Sequence, residues 1–331
     1  MTDTITAAYP ETEAVISARV GRELVHRRAV SEVFLLGLER CSDTEFTVFA
    51  QWPRWHVFYG ARDGSTDSAM IVETLRQLTV LIAHAGLGVP LGHQFLMPRM
   101  ALALSSDARL DPSVPADVTI NARISGVKPS QQGPGAFDIT ADFHAGDLFI
   151  ATGEASARIV DPAVYGRYRK GRVPGAVPSP HEPVAADLVG HASSWNVVLG
   201  SDGGGVRWPL RVDLSNPILF DHPLDHVPGV LLIEAVRQAL RLATGEPALD
   251  FDWFQSTFIS VAELDAETEI VIESLTDDAG DIHALVSAQS EGKILMRTTA
   301  CFRRKRPVDV GAAVLKQVQQ ALPDLPWNLH A

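Results

Sequence analysis

Apolar and polar residues alternate or cluster in short stretches along most of the chain, and this pattern predicts β-strands. In the first half, the strand-like stretches are 33–40, 45–52, 93–104, 117–127, 137–145 and 148–160. In the second half, they are 195–200, 206–214, 251–261, 269–275, 281–289 and 293–304. Turn-forming sequences such as His-Ala-Gly-Asp at 144–147 separate neighbouring strands. Successive strands joined by short turns predict an antiparallel sheet.

One helical segment interrupts the strands of each half. The two segments read AMIVETLRQLTVLIAHAG at 69–86 and GVLLIEAVRQALRLATG at 229–245. Both contain Glu-x-x-Arg-Gln after an apolar run, at a constant offset of 161 residues. The matching residues are Glu73, Arg76 and Gln77 in the first copy and Glu234, Arg237 and Gln238 in the second. With similar strand patterns around them, the two segments indicate an internal duplication.

Each half contains a single helix that is apolar almost all round, as expected of a helix wrapped by protein. Asp67 or Ser68 can cap the first helix, and Pro228 suits an early position of the second. Gly86 and Gly245 can end them. An antiparallel sheet curved around one long central helix is the hot-dog architecture. We therefore predict an α+β protein made of a tandem double hot-dog, packed as an internal pseudo-dimer.

The predicted organisation has five segments, because residues 166–183 are rich in Pro, Gly and basic residues and lack apolar periodicity. They are a disordered amino terminus (1–20), a first hot-dog domain (21–165), a linker (166–188), a second hot-dog domain (189–306) and a carboxy-terminal tail (307–331). We expect a short helix at 313–322 within the tail.

Composition and charge limit the function. Of the 331 residues, 46% are hydrophobic, and the net charge of −12 argues against general nucleic-acid binding. The first residues are not a secretion signal, and no stretch is apolar enough to span a membrane. Cys41 and Cys301 match no metal or redox spacing, so a disulfide between them is the less favoured interpretation. We expect a soluble, cytoplasmic protein.

The two helical glutamates are anomalous, because each follows four apolar residues in a helix predicted to be buried. Burial of a carboxylate costs several kcal/mol unless the group is paired, protonated or hydrogen-bonded. One interpretation is structural: the Arg three positions later lies on nearly the same face and pairs with the Glu. The other is functional: burial raises a carboxyl pKa and makes the group a usable general base or acid. The duplication supports either.

Two known families resemble these motifs. The segment LFDHPLDHVPGVLLIEAVRQA at 219–239 resembles the helix start of hot-dog dehydratases that act on acyl chains of acyl carrier protein, with Glu234 at their catalytic Glu. Together with HRRAVSEVFLL at 26–36, WPRWHVFYG at 52–60 and ETLRQLTVLIAHAGLGVPLGHQFLM at 73–97, it resembles the A-factor biosynthesis family more closely. That family comprises tandem hot-dog enzymes, and the resemblance covers nearly the whole chain.

This resemblance implies an acyltransferase. Members join a β-ketoacyl chain from acyl carrier protein to a hydroxyl of dihydroxyacetone phosphate, on the way to γ-butyrolactone-type or furan signalling molecules. The residues important in the family correspond to Glu73, Glu234 and Arg237 here. A poised Glu suits removal of the hydroxyl proton, and backbone N–H groups around Gly229 and Val230 can bind the oxyanion.

Several further residues are candidates for substrate binding. Arg76 matches Arg237 in the repeat, and Arg237 itself can contact the phosphate or support Glu234. His56, His222 and His226 lie before the two helices, where they line the pocket or stabilise turns. The histidines show no paired metal spacing, so we expect no metal. No cofactor is expected beyond the phosphopantetheine arm of the carrier protein.

Acyl carrier protein is acidic, so a basic surface can dock it. Two runs compete for this role, Arg303 to Arg306 after the last strand and the linker residues Arg167, Arg169, Lys170 and Arg172. A dehydratase or thioesterase acting on carrier-bound acyl chains, and a non-catalytic protein that binds acyl ligands, remain alternatives to the transferase. The acyl length, the oligomeric state and the number of working sites stay open.

Overall fold

The computed structural model describes residues 20–303 except 61–64, 107, 131–132, 171, 173–174 and 279. Their strands form one antiparallel sheet of eleven strands. The strands are β1 (Leu35–Arg40), β2 (Glu45–Trp52), β3 (Gln94–Leu104), β4 (Ala116–Ser130), β5 (Gly133–Ala145), β6 (Leu148–Val160), β7 (Arg207–Pro209), β8 (Phe251–Phe258), β9 (Glu269–Asp278), β10 (Asp281–Ser290) and β11 (Lys293–Arg303).

The sheet is continuous across the two halves. Its spatial order is β1-β2-β4-β5-β6-β3-β8-β11-β10-β9-β7, so the first six strands come from the first half and the other five from the second. The halves join where β3 and β8 pair antiparallel, with Met100 opposite Ser256. This joint places the helices of the two halves close to each other.

Two long helices lie against this sheet. The first, α1 (Ser68–Leu81), continues through a π-helical turn, Ile82–Gly86, and the equivalent helix of the second half is α3 (Gly229–Thr244). Asp67 caps α1 by accepting a hydrogen bond from Ala69 N, and Gly245 ends α3 in the left-handed conformation, as predicted. Burial of nearly every α1 side chain matches the prediction of a helix wrapped by protein.

The strand predictions hold in the first half and fail at one place in the second. Residues 195–200 do not form a strand, because Ser194–Asn196 is a turn of 3-10 helix and only isolated bridges follow. The strand predicted at 206–214 is shortened to β7. Beyond β7, one backbone hydrogen bond continues the pairing, from Leu210 N to the Thr268 carbonyl at 2.7 Å.

The predicted linker contains regular structure. A short helix, α2 (Pro162–Tyr168), crosses its first boundary, and a 3-10 helix, Ala186–Val189, crosses its second. The domain boundaries therefore remain a prediction. The first 19 residues, the tail after 303 and its expected helix lie outside the described residues.

Two further expectations concern cysteines and membranes. Cys41, which is exposed, and Cys301, which is buried, form no disulfide. Among the described residues, no helix combines the length and apolar character needed to cross a membrane.

Candidate functional site

Glu73 lies in a closed cluster of cations. Its side chain is only 1% exposed, and Oε1 accepts hydrogen bonds from Arg27 Nε (2.9 Å), Arg76 Nη2 (2.7 Å) and Gln77 Nε2 (2.8 Å). Oε2 accepts a further bond from Arg76 Nε at 2.9 Å. The predicted pairing of Glu with the Arg three positions later is therefore confirmed, and a second arginine that the repeat motif did not indicate joins it.

Glu234 has a similar set of partners with one change. Its Oε1 accepts hydrogen bonds from His191 Nε2 (2.9 Å) and Gln238 Nε2 (2.8 Å). Its Oε2 accepts one from Arg237 Nε at 2.8 Å and forms an ion pair with Arg237 Nη2, also at 2.8 Å. The side chain is 2% exposed. A histidine thus stands beside the second glutamate where an arginine stands beside the first.

The glutamine of each motif ties the helix to the chain that precedes it. Gln77 accepts a hydrogen bond from Phe34 N (3.1 Å) and donates one to the Glu32 carbonyl (2.7 Å). Gln238 makes the same pair of bonds with the backbone at residues 196–198. The repeated motif therefore has a structural role in both halves, because it fixes the glutamate and the preceding loop together.

The pKa values of both glutamates are lowered, not raised. Burial opposes ionisation of Glu73, but the two adjacent guanidinium groups overcome it and lower the pKa from 4.5 to about 2. Burial likewise opposes ionisation of Glu234, and Arg237 and the His191 hydrogen bond lower its pKa to about 2. Burial by itself raises both pKa values, as the functional interpretation expected, but the neighbouring arginines, including Arg76 and Arg237 of the structural interpretation, make the net shift downward.

These lowered pKa values predict loss of stability in acid. A carboxyl whose pKa falls on folding stabilises the protein above its ordinary pKa, and that contribution disappears as the pH falls toward the folded value. We expect the free energy of unfolding to decrease as the pH falls from about 4.5 toward 2, by roughly 3 kcal/mol for Glu73. Urea unfolding at several pH values measures this dependence.

Glu73→Gln should flatten the acid dependence because the titrating group is gone. Glu45→Gln is the matched control, since Glu45 forms a surface pair with Arg123 in which both side chains are about half exposed or more. Such pairs contribute little. An unchanged acid slope in Glu73→Gln would show that the arginines do not hold this carboxyl ionised.

A narrow pocket with a free interior of about 10 Å³, room for about one water molecule, lies between the amino-terminal halves of α1 and α3. Glu234 and Arg237 line it, whereas Glu73 does not. The other lining residues are Phe58, Tyr59, Ser68, Ala69, Val72, Leu219, Val230, Ile233 and Phe251. Residues of both halves form the walls of the pocket. Glu234 and Arg237 of the second half are its charged lining residues, and most of the other lining side chains are apolar.

Arg237 connects the pocket to the first half. Its Nη1 donates to Asp67 Oδ1 at 2.7 Å and lies 3.5 Å from Asp250 Oδ1, while the rest of the guanidinium holds Glu234. Three carboxylates thus surround one arginine. A phosphate would meet their negative charge, so the arrangement favours the interpretation of Arg237 as a support for Glu234 over that of a phosphate contact.

The candidate histidines lie in turns around the helices. His56 Nδ1 accepts hydrogen bonds from the backbone N–H groups of residues 58 and 59. These bonds favour a turn-stabilising role for His56 over a role in lining the pocket. His222 and His226 pair with the preceding Asp221 and Asp225, and their side chains are about one third exposed. None of the three histidines lines the pocket. Their role in substrate binding stays a prediction.

The remaining candidates lie near the start of α3 and on α1. Val230 lines the pocket, and Gly229 packs so closely on Phe258 that a Cβ would lie 3.1 Å from the ring. Pro228 provides no side-chain cap, and its carbonyl accepts from Leu231 N and Leu232 N. Within the described part of the chain, the N–H groups of Gly229 and Val230 are left for another partner. Arg76 contacts Glu73 and the Val25 carbonyl and does not line the pocket.

Four residues of these clusters were missed from the sequence: Arg27, Asp67 as a charge partner, His191 and Asp250. The spacing of a motif identifies neighbours on one helix, and these residues reach the helices from other elements. A signal for two of them exists, since Arg27 and His191 precede their glutamines by 50 and 47 residues. The three-residue difference hides the match from a search at one fixed offset.

The basic run of the linker is partly neutralised. Arg169 pairs with Asp225 and Glu263, and Arg172 pairs with Glu263 and Asp265. These arginines fasten the linker to the second half, which weakens the case for a docking surface there. The competing run, 303–306, lies at the limit of the described residues and beyond it. Nowhere in the described residues do three His, Cys, Asp or Glu side chains group as metal ligands.

Comparisons with known proteins agree with the motifs. A protein-family model described as the A-factor biosynthesis hotdog domain matches residues 10–161 and 175–287. A 2-oxo-3-(phosphooxy)propyl 3-oxoalkanoate synthase of Streptomyces virginiae is 36% identical over 281 residues, which cover 83% of this chain and 95% of the relative. A synthase of the same name from Streptomyces coelicolor is 32% identical, over 83% of this chain and 89% of the relative.

Among solved structures, the 12:0-ACP thioesterase from Umbellularia californica is similar with a TM-score of 0.50. The match covers 78% of this chain and 98% of the thioesterase at 11% sequence identity. At this identity, the similarity concerns the fold only.

Proposed function

This chain belongs to the A-factor biosynthesis hot-dog family, as its motifs predicted, and on that basis we propose that it is an acyltransferase. It transfers a β-ketoacyl group from a thioester to a hydroxyl of dihydroxyacetone phosphate. The name of its relatives, 2-oxo-3-(phosphooxy)propyl 3-oxoalkanoate synthase, describes the corresponding ester. The product is a phosphorylated ester in the biosynthesis of a γ-butyrolactone-type or furan signalling molecule.

One observation carries this proposal: the pocket between α1 and α3 brings a carboxylate and an arginine to the start of a helix. Glu234 and Arg237 line the pocket together with Val230 of the first turn. The open N–H groups there are suited to stabilise the negative charge that develops on a thioester carbonyl oxygen. The apolar remainder of the lining matches an acyl chain in character, and its side chains must separate to admit one, because the free interior is only about 10 Å³.

The reaction needs proton transfer but no covalent enzyme intermediate. The hydroxyl oxygen forms a C–O bond to the thioester carbonyl carbon and loses its proton, and the C–S bond breaks with its electron pair on sulfur. The sulfur then takes up a proton and leaves as a thiol. Acyl carrier protein is the proposed acyl donor, its phosphopantetheine arm carrying the thioester. We propose no other cofactor.

Incubation of the purified protein with a β-ketoacyl thioester and dihydroxyacetone phosphate tests the proposal. We expect a new phosphorylated ester, detected by mass spectrometry, together with stoichiometric free thiol. Free β-keto acid without ester would indicate a thioesterase, an unsaturated acyl product from a β-hydroxyacyl thioester would indicate a dehydratase, and binding without turnover would indicate an acyl-binding protein. Each of these results would replace the transferase.

A further inference from the structure

The two halves place different residues at one equivalent position. In the first half, the 3-10 helix Arg22–Val25 is followed by a residue in the left-handed conformation and then by Arg27. In the second half, the 3-10 helix Ala186–Val189 is followed by Gly190, with φ of 76°, and then by His191. Both Arg27 and His191 donate to Oε1 of the glutamate of their own half.

The backbone holds His191 firmly in this place. A Cβ on Gly190 would lie 2.2 Å from the Pro247 carbonyl oxygen, so only glycine fits there. The backbone N–H of His191 also donates to the Ala186 carbonyl at 2.9 Å. The imidazole is therefore positioned by the fold as well as by Glu234.

Glu234 has no room to accept another proton donor. An ionised carboxylate offers about four acceptor positions, and Glu234 already faces three hydrogen bonds and a further ion-pair contact with Arg237 Nη2, two partners on each oxygen. Its lowered pKa also makes it a weak base at neutral pH. A different group must take the hydroxyl proton.

His191 has the free nitrogen that Glu234 lacks. Its Nε2 is committed to Glu234, whereas Nδ1 has no hydrogen-bond partner in the described part of the chain. The ring lies 5.3 Å, between centroids, from the ring of Phe58, which lines the pocket. His191 thus lies behind the pocket wall, beside two lining residues, Phe58 and Glu234, and is not a lining residue itself.

We infer that His191 is the general base of the acyl transfer and that Glu234 orients it. This inference rests on the proposed function. Nδ1 takes the proton of the acceptor hydroxyl while the C–O bond forms, and Glu234 stabilises the resulting imidazolium through Nε2–H. When the C–S bond breaks, Nδ1 returns the proton to the sulfur. The first half cannot do this, because Arg27 keeps its proton.

His191→Arg tests the inference, because it introduces the residue of the first half. Arginine can still pair with Glu234, so the charge balance of the cluster is retained while proton exchange is lost. We expect kcat for ester formation to fall at least roughly 100-fold with little change in KM. His181→Arg is the matched control, since His181 forms a surface pair with Asp202 in the same half. It should keep wild-type activity.

His191→Ala with added imidazoles separates catalysis from packing. If His191 transfers a proton, imidazoles of increasing basicity should restore ester formation to increasing extents, whereas simple filling of the space would follow their size. Thermal unfolding establishes that both variants are folded. A folded His191→Arg or His191→Ala enzyme with kcat within threefold of wild type would overturn the inference. Failure of the wild-type protein to make ester would instead overturn the proposed function.

Discussion

Replacement of Glu234 by glutamine is expected to abolish ester formation while the protein stays folded. The amide keeps the shape of the carboxyl group but has no negative charge, so it cannot stabilise a positive charge on His191. Its NH₂ group also replaces one of the two oxygens that accept from His191 and Arg237. In a comparable arrangement, loss of the orienting carboxylate reduces kcat by about 10⁴. Initial rates of thiol release and ester formation, with saturating substrates, measure the effect.

Two further variants serve as comparisons for Glu234→Gln. Glu263→Gln is the control, because Glu263 is another salt-bridged glutamate of the second half that lies outside the pocket; it should retain wild-type turnover. Glu73→Gln, the equivalent change in the first half, should reduce turnover less than Glu234→Gln, because Glu73 does not line the pocket. Near wild-type rates from folded Glu234→Gln would remove this carboxylate from the reaction.

Arg237→Met is expected to produce the largest loss of stability. The Arg237 side chain is 2% exposed and compensates Glu234 and Asp67, with Asp250 nearby. Removal of the cation leaves buried carboxylates uncompensated, which costs about 3–5 kcal/mol in comparable cases. Because protonation of a carboxyl relieves this cost, the loss should be smaller at pH 5 than at pH 7. Urea unfolding at the two pH values measures both effects.

The matched variant is Arg76→Met, in the first half. Arg76 is 18% exposed, and Arg27 remains on Glu73 when it is removed. The loss of stability should therefore be less than half of that in Arg237→Met. If Arg237→Met unfolds within about 0.5 kcal/mol of wild type, as surface substitutions usually do, the charge cluster does not stabilise the fold.

Several features of this protein follow from local sequence alone. Strand alternation located most strands to within a few residues, and the cap at Asp67 and the glycine at 245 located two helix ends. The Glu-x-x-Arg-Gln motif predicted one helix face on which Glu and Arg pair. These predictions succeed because strand alternation, helix periodicity and caps depend on residues only a few positions apart.

The properties of the site depended on residues that are distant in sequence. Asp67 lies 170 positions from Arg237, and His191 lies 43 positions from Glu234. No helical periodicity contains these contacts, so the difference between the two halves could not be predicted. The failure at 195–200 has the same origin, because Gln238 of α3 holds the backbone there.

By itself, the sequence determined that the chain is duplicated, that each half has one helix with a Glu, an Arg and a Gln on one face, and that its motifs resemble the A-factor biosynthesis family. Only the tertiary structure decided which glutamate meets the pocket and which partner it has there. The physical reason is that electrostatic environment is set by whichever charges the fold brings within a few ångströms, whatever their separation along the chain.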